Sequence, residues 1–208
     1  MKYDNVTIDL ETLDTKTSAK ILSIGIVPFN FNENVSFAEL CSRESSLYIK
    51  INQYMSYEFL FYQQGFTESE STRHWWEKQG DAAKHVLDED FENDLVITDA
   101  LEILSKHLEK YVKPLIKDGG HIYCRGYDFD GGILNHHYSQ LQMQAPWQYN
   151  RFRCIRTFID ALARTRNGYI KGDNPAGFIK HHALHDAAAD TLTMINIAMD
   201  AIPATTPQ

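Results

Sequence analysis

Val6-Thr7-Ile8-Asp9-Leu10-Glu11-Thr12 alternates apolar and polar residues, the period of a strand with one buried face. Side chains two apart on a strand point the same way, so Asp9 and Glu11 share the face opposite Val6, Ile8 and Leu10. Two carboxylates held side by side repel unless a proton or a cation lies between them. Taken alone, the stretch reads as a solvated edge strand with an acidic outer face, because Asp-x-Glu is short and matches often by chance. Further carboxylates and a base elsewhere in the chain change that reading.

Working outward, Asp14–Lys20 is a polar turn and Ile21–Phe29 a buried second strand, joined closely enough to pair antiparallel with the first. Ser46–Ile51 alternates as a third strand, and the intervening 30–45 is expected to add more strand. Helical signals follow over Gln53–Gln64, Thr67–Gln79 and Asp81–Asp88. Thr98 is the expected N-cap of a helix to about Val112, with Leu101, Leu104 and Leu108 on one stripe. His121–Arg125 is a short strand, turning at Gly126 into a helix that carries Ile133, Leu134 and Leu141. Arg153–Arg156 is the last short strand and Phe158–Arg164 a helix, with a glycine-containing loop over Asn167–Pro175. A final helix is predicted from about Asp186 to Ala201, and 203–208 is a frayed tail. With no repeat or linker, residues 1–208 read as one α/β domain.

Of 208 residues, 43% are hydrophobic and 23% charged, enough apolar material for one sizeable core. Twenty Lys and Arg against 28 Asp and Glu give a formal charge of −8, which excludes a bulk-basic nucleic-acid binder. Any polyanion must be met by a local patch or through bound cations. Cys41, Cys124 and Cys154 lack the paired spacing of a zinc site and read as reduced core thiols. No apolar run nears the ~20 residues of a membrane helix. The first strand follows the opening Met almost at once, so no signal peptide is expected. A cytoplasmic protein is expected, in the host cytoplasm if viral, and the sequence gives a homodimer no support.

Two more acidic stretches carry chemistry. In Gly126-Tyr127-Asp128-Phe129-Asp130-Gly131-Gly132, an acid at the start of a helix after a strand lies where open α/β sheets bind ligands. Asp128 and Asp130 compete for that place, and either could be an ordinary helix cap. Asp130 is preferred because the following glycines would let a substrate backbone approach. In His185-Asp186-Ala187-Ala188-Ala189-Asp190, Asp190 is placed one turn into the last helix among alanines. His185 is placed in a loop just before it, able to reach over the site. Four carboxylates from separate elements plus a histidine make a combined pattern that none makes alone.

These motifs resemble those of DEDD-type 3′–5′ exonucleases of the histidine subclass, and within them the group of bacteriophage exonuclease A and the mycobacterial-type exoribonucleases. The similar stretches are Ile8–Thr12, Trp75-Trp76 with Gln79, Cys124-Arg125-Gly126 through Asp130 to Ile133-Leu134, Arg153–Thr157, and His185–Asp190. They run in order over nearly the whole chain. Cys154 departs from the pattern, standing where such relatives tend to carry an acid.

The resemblance implies a ribonuclease-H-like mixed sheet of five strands, the second antiparallel to the rest, with helices on both faces. It implies hydrolysis of phosphodiester bonds from the 3′ end of a single strand, releasing nucleoside 5′-monophosphates. Hard oxygen ligands suit two Mg²⁺ or Mn²⁺ ions. Asp9, Glu11, Asp130 and Asp190 are the implied ligands, with Asp9 bridging, and His185 takes the proton from the attacking water. Thr12, Trp75, Trp76 and Arg125 are the expected substrate contacts, with at most one of the adjacent tryptophans facing the site. DNA is favoured over RNA. A di-metal phosphatase of small nucleotides and a non-catalytic nucleic-acid-binding module are the rival readings.

Overall fold

In the computed structural model, which describes residues 2–58, 65–116 and 119–201, the acidic stretch lies mid-sheet rather than at an edge. The strands are β1 (Asn5–Thr12), β2 (Ile21–Phe29), β3 (Leu47–Lys50), β4 (His121–Cys124) and β5 (Phe152–Cys154), in spatial order β3-β2-β1-β4-β5. β2 pairs antiparallel with β1 and β3, whereas β1, β4 and β5 are parallel. The helices are α1 (Phe37–Ser42), α2 (Glu70–Glu77), α3 (Asp81–Lys84), α4 (Ile97–Tyr111), α5 (Gly132–Gln140), α6 (Ile155–Ala163) and α7 (Ala183–Ala201). This is the expected ribonuclease-H-like mixed sheet with helices on both faces.

Period-two alternation in β1 divides the molecule. Val6, Ile8 and Leu10 pack with Leu101, Leu104 and Leu108 of α4 and with Ile133 and Leu134 of α5. Burial of each such side chain contributes about 1.5–3 kcal/mol. Thr7, on the opposite face, receives a 2.6 Å hydrogen bond from the Thr191 hydroxyl of α7. The face that carries Asp9 and Glu11 is therefore the one α7 covers.

What lets α7 come so close is a glycine inside β2. Gly25 is the register partner of Asp9. A Cβ there would lie 2.2 Å from the carbonyl carbon and oxygen of Ala183, so the start of α7 rests on bare strand backbone. Ala187 and Ala188, both buried, continue the close approach one turn on.

Several boundaries differ from the sequence expectation. The segment 30–45 contributes α1, not a strand; Ser36 and Glu39 form a capping box at its start. Helix α4 begins ahead of Thr98, with Val96 at the N-cap, and the Ile97 N–H donates instead to the Ser56 hydroxyl at 2.9 Å. Thr67 bridges to Ala19, and α2 starts later, capped by Ser69. Asp81–Asp88 divides into α3 and a 3₁₀ turn, His85–Leu87. β5 ends at Cys154 and α6 follows at once. The start of Gln53–Gln64 is a wide π-type turn, Tyr54–Glu58, while 59–64 and the expected tail at 203–208 lie outside the described residues. All three cysteines are free, as expected, but only Cys124 is fully buried. Among the described residues no helix is long and apolar enough to cross a membrane.

Candidate active site

Beyond the Asp9–Glu11 end of β1 opens a cleft of about 1150 Å³, lined among others by Asp9, Glu11, Asp130, Asp186, His181 and Trp75. Asp130 sits in a π-type turn, Tyr127–Gly131, between β4 and α5 and is 3% exposed. Its carboxylate accepts a 3.2 Å hydrogen bond from the Leu10 N–H, which ties the turn to β1. Asp128 is exposed. The glycines that follow serve packing: a Cβ on Gly131 would lie 2.9 Å from the Tyr127 ring, and one on Gly132 3.0 Å from Thr17.

The electrostatics are those of crowded, poorly hydrated carboxylates. Burial pushes Asp9 well up, and Asp130, Glu11, Asp186 and Asp190 add to the rise. Burial, then Asp186 and Asp130, do the same to Glu11. Asp130 and Asp186 are each pushed up to about 7, mainly by burial, with Asp190 adding to both. Asp186 also has a buried oxygen, Oδ2, with no hydrogen-bond partner. One ligand atom each from Glu11, His181 and Asp186 lies within 4.8 Å of the others. Oxygen donors without thiolate, mutual repulsion and an unmatched buried oxygen together fit hard divalent cations.

Helix α7 corrects the expected placement of two residues. His185 lies in its first turn rather than in a preceding loop, and is not among the residues lining the cleft. Its Nδ1 accepts the Ile179 N–H at 3.0 Å, and its ring packs edge-on against Phe37 and at a tilt against His182. Asp190 does line the cleft, yet both its oxygens are taken by Arg125: Nε lies 2.8 Å from Oδ2 and 3.1 Å from Oδ1, and Nη2 pairs with Oδ1. Asp186, which sequence reasoning passed over, stands one turn earlier with Glu11. The missed signal is that His181 and Asp186 repeat the His-x-x-x-x-Asp spacing of His185 and Asp190, one helical turn upstream.

His181 holds a left-handed backbone, φ 62°, a conformation uncommon for a side chain and frequent at functional sites. Its ring meets Trp75 edge-on, with centroids 4.6 Å apart. Burial, then the charge of Lys180, holds its imidazole below the usual value. Both tryptophans line the cleft, but Trp75 is 41% exposed, whereas Trp76 is 1% exposed and donates its indole N–H to the Thr12 carbonyl at 2.9 Å. Trp75 is therefore the one with an accessible ring, while Trp76 holds the strand end. Thr12 lines the cleft, but its hydroxyl donates to the Asp14 carbonyl. Arg125 gives its charge to Asp190 and its Nη1 to the Gly168 carbonyl.

A ribonuclease-H-like sheet with carboxylates gathered on its central strand, after β4 and on its last helix defines the DEDD class of 3′–5′ exonucleases, histidine subclass. The chain belongs to the 3′-5′ exoribonuclease Rv2179c-like domain family, whose model matches residues 4–197. It is also similar to an exodeoxyribonuclease of Enterobacteria phage T4, 24% identical, with 90% of this chain and 86% of that protein covered. Two solved structures share the fold. The nuclease domain of 3′hExo, a DEDDh family member bound to rAMP, has a TM-score of 0.58 at 12% identity, covering 95% of this chain and 93% of that one. Pop2p of S. pombe, in a form with Mg²⁺ and Mn²⁺ bound, has a TM-score of 0.58 at 15% identity, covering 98% and 87%.

Proposed function

We propose that this exonuclease removes nucleotides from the 3′ end of single-stranded DNA with two divalent cations, Mg²⁺ or Mn²⁺, and that Asp9, Glu11, Asp130 and Asp186 hold them. The observation that carries the reading is the convergence of those acids, with raised affinities for protons and one partnerless oxygen, beside His181. Bound there, the cations neutralise the phosphoryl charge and make water a better nucleophile. His181 accepts the proton of the attacking water. An imidazole held below its usual value by burial is neutral, and so able to accept, at neutral pH. Trp75 offers its face to the terminal base, a contact worth about 1–3 kcal/mol. Arg125 and Asp190 brace the wall as a pair.

The choice of DNA is supported by the phage relative, which is called an exodeoxyribonuclease and aligns along most of both chains. A second reading, exoribonuclease, is supported by the family's description. Digestion of 3′- and 5′-labelled single strands of DNA and RNA of one sequence, with Mg²⁺ or Mn²⁺, tests both. Ladders shortening from the 3′ end on DNA, with 5′-monophosphate products, are expected. Faster loss of RNA would favour the second reading, and internal cleavage would refute both.

A further inference from the structure

The cleft wall that includes the first turn of α6 and the loop after it carries an exposed arginine, Arg156, flanked by two glycines. Gly168, at φ +68°, lies against the stem of Arg156: a Cβ there would be 2.3 Å from the arginine Cβ and 2.5 Å from its Cα and Cγ. Gly126 lies against the head, where a Cβ would be 3.1 Å from Nη1. Two glycines thus leave the space that this side chain fills. The loop is fixed at the same point. Asp160 accepts the Gly168 N–H at 2.8 Å, and Arg125 Nη1 donates to the Gly168 carbonyl at 3.0 Å. Tyr169 follows, with Arg125 over its ring at 4.5 Å, and the neighbouring Arg156 and Arg125 hold its phenol below the usual value.

The two arginines differ in what balances them. Arg125 is matched by Asp190. No ion pair of Arg156 is present among the described residues, although the side chain lines the cleft and its field reaches Asp130. An exposed guanidinium on the cleft wall without an ion-pair partner among the described residues, beside a phenol that can donate, is suited to receive an anion of several oxygens. The scissile phosphate belongs on the acids, so the cation on the adjoining wall meets the next one along.

We propose that Arg156, with Tyr169, binds the phosphodiester one linkage upstream of the scissile bond, so that the enzyme recognises a polynucleotide rather than a lone ester. This rests on the exonuclease reading above. It makes Arg156 a specificity residue for chain length, with no part in bond cleavage.

Two substrates separate the roles. The p-nitrophenyl ester of thymidine 5′-monophosphate has a cleavable phosphodiester and no upstream phosphate; an oligonucleotide has both. Arg156→Ala is expected to lower kcat/KM about 10–100-fold on the oligonucleotide and to stay within about twofold of wild type on the ester. Replacing the upstream phosphate by a neutral methylphosphonate should reduce wild-type cleavage by a similar factor and affect Arg156→Ala little. Tyr169→Phe should fall between. Equal losses on ester and oligonucleotide would overturn the proposal, as would equal sensitivity of both proteins to the methylphosphonate. If wild type cleaves neither substrate with Mg²⁺ or Mn²⁺, the exonuclease reading itself fails. Binding of a fluorescent oligonucleotide in Ca²⁺ then still reads the phosphate contact. Arg156→Ala should weaken binding and flatten its salt dependence by about 0.7 in log–log slope, and unchanged affinity and slope would overturn it.

Discussion

Replacing one acid of the cleft should stabilise the metal-free protein, and replacing its neighbour one turn away should do the opposite. Asp186 is pushed from the ordinary 3.8 up to about 7, by burial first and Asp190 next. A carboxyl raised in the fold favours the folded state while protonated, so its contribution is full below about pH 4 and lost as pH rises through about 7. At about 1.4 kcal/mol per pH unit, that rise sets a ceiling of roughly 4 kcal/mol. The repulsion is shared among several acids, so Asp186→Asn should recover about 1–3 kcal/mol at pH 8. For a chain of this length that is about 2–4 °C in Tm per kcal/mol. Wild type and variant should converge near pH 4. Asp190→Asn instead strips Arg125 of its counter-charge, with side-chain exposures of 23% and 11% for the pair, and should cost about 1–3 kcal/mol.

Thermal unfolding in chelator and then in Mg²⁺ reads both effects. Saturating cation at 100 times Kd stabilises a protein by about 2.7 kcal/mol. Wild type and Asp190→Asn should gain on that scale, and Asp186→Asn should gain far less. Calorimetric titration of Mg²⁺ should rank the three proteins the same way. If Asp190→Asn raises Tm in chelator and abolishes the Mg²⁺ gain while Asp186→Asn keeps it, Asp190 is the ligand and the assignment made from α7 fails.

His181→Ala should lower turnover about 10²–10⁴-fold with metal affinity intact, whereas His185→Ala, outside the cleft, should keep near-normal turnover; the opposite ranking in single-turnover assays would restore His185 as the base. In wild type the rate should fall as pH drops below the His181 value, since only the neutral ring accepts a proton; a pH–rate profile at saturating metal checks this. Gly25→Ala should displace the start of α7 and weaken Mg²⁺ binding at least tenfold, because the added carbon would lie 2.2 Å from the Ala183 backbone; unaltered calorimetric affinity would argue that α7 does not set the site. Mg²⁺ and Mn²⁺ should support cleavage and Ca²⁺ should bind with little turnover, which metal-substitution assays on a 3′-hydroxyl oligonucleotide measure; a 3′-phosphate on the same strand should slow digestion greatly.

The sheet and the first three acids are legible in the sequence because their signals are local. Period two places Asp9 and Glu11 on one face whichever elements cover it. The apolar run Ile21–Phe29 specifies a strand buried on both sides, and it matches β2 end to end. Asp130 follows a strand end and precedes a helix, a location that needs no tertiary detail. The acid of α7 is different. Four residues advance a helix by about 400°, about 40° past a full turn, so Asp186 and Asp190 lie on nearly one face and periodicity cannot choose between them. The choice depends on how far along the sheet the helix begins, a tertiary distance set where Ala183 meets Gly25. It depends also on which acid finds a cation, and Arg125 reaches Asp190 from just beyond β4, far away in sequence. One sequence feature did bear on this. A glycine inside an otherwise apolar strand marks the close approach of another backbone, and Gly25 is the register partner of Asp9. A helix whose first residues rest at that point puts its first-turn carboxylate beside Glu11 and leaves the next one to Arg125.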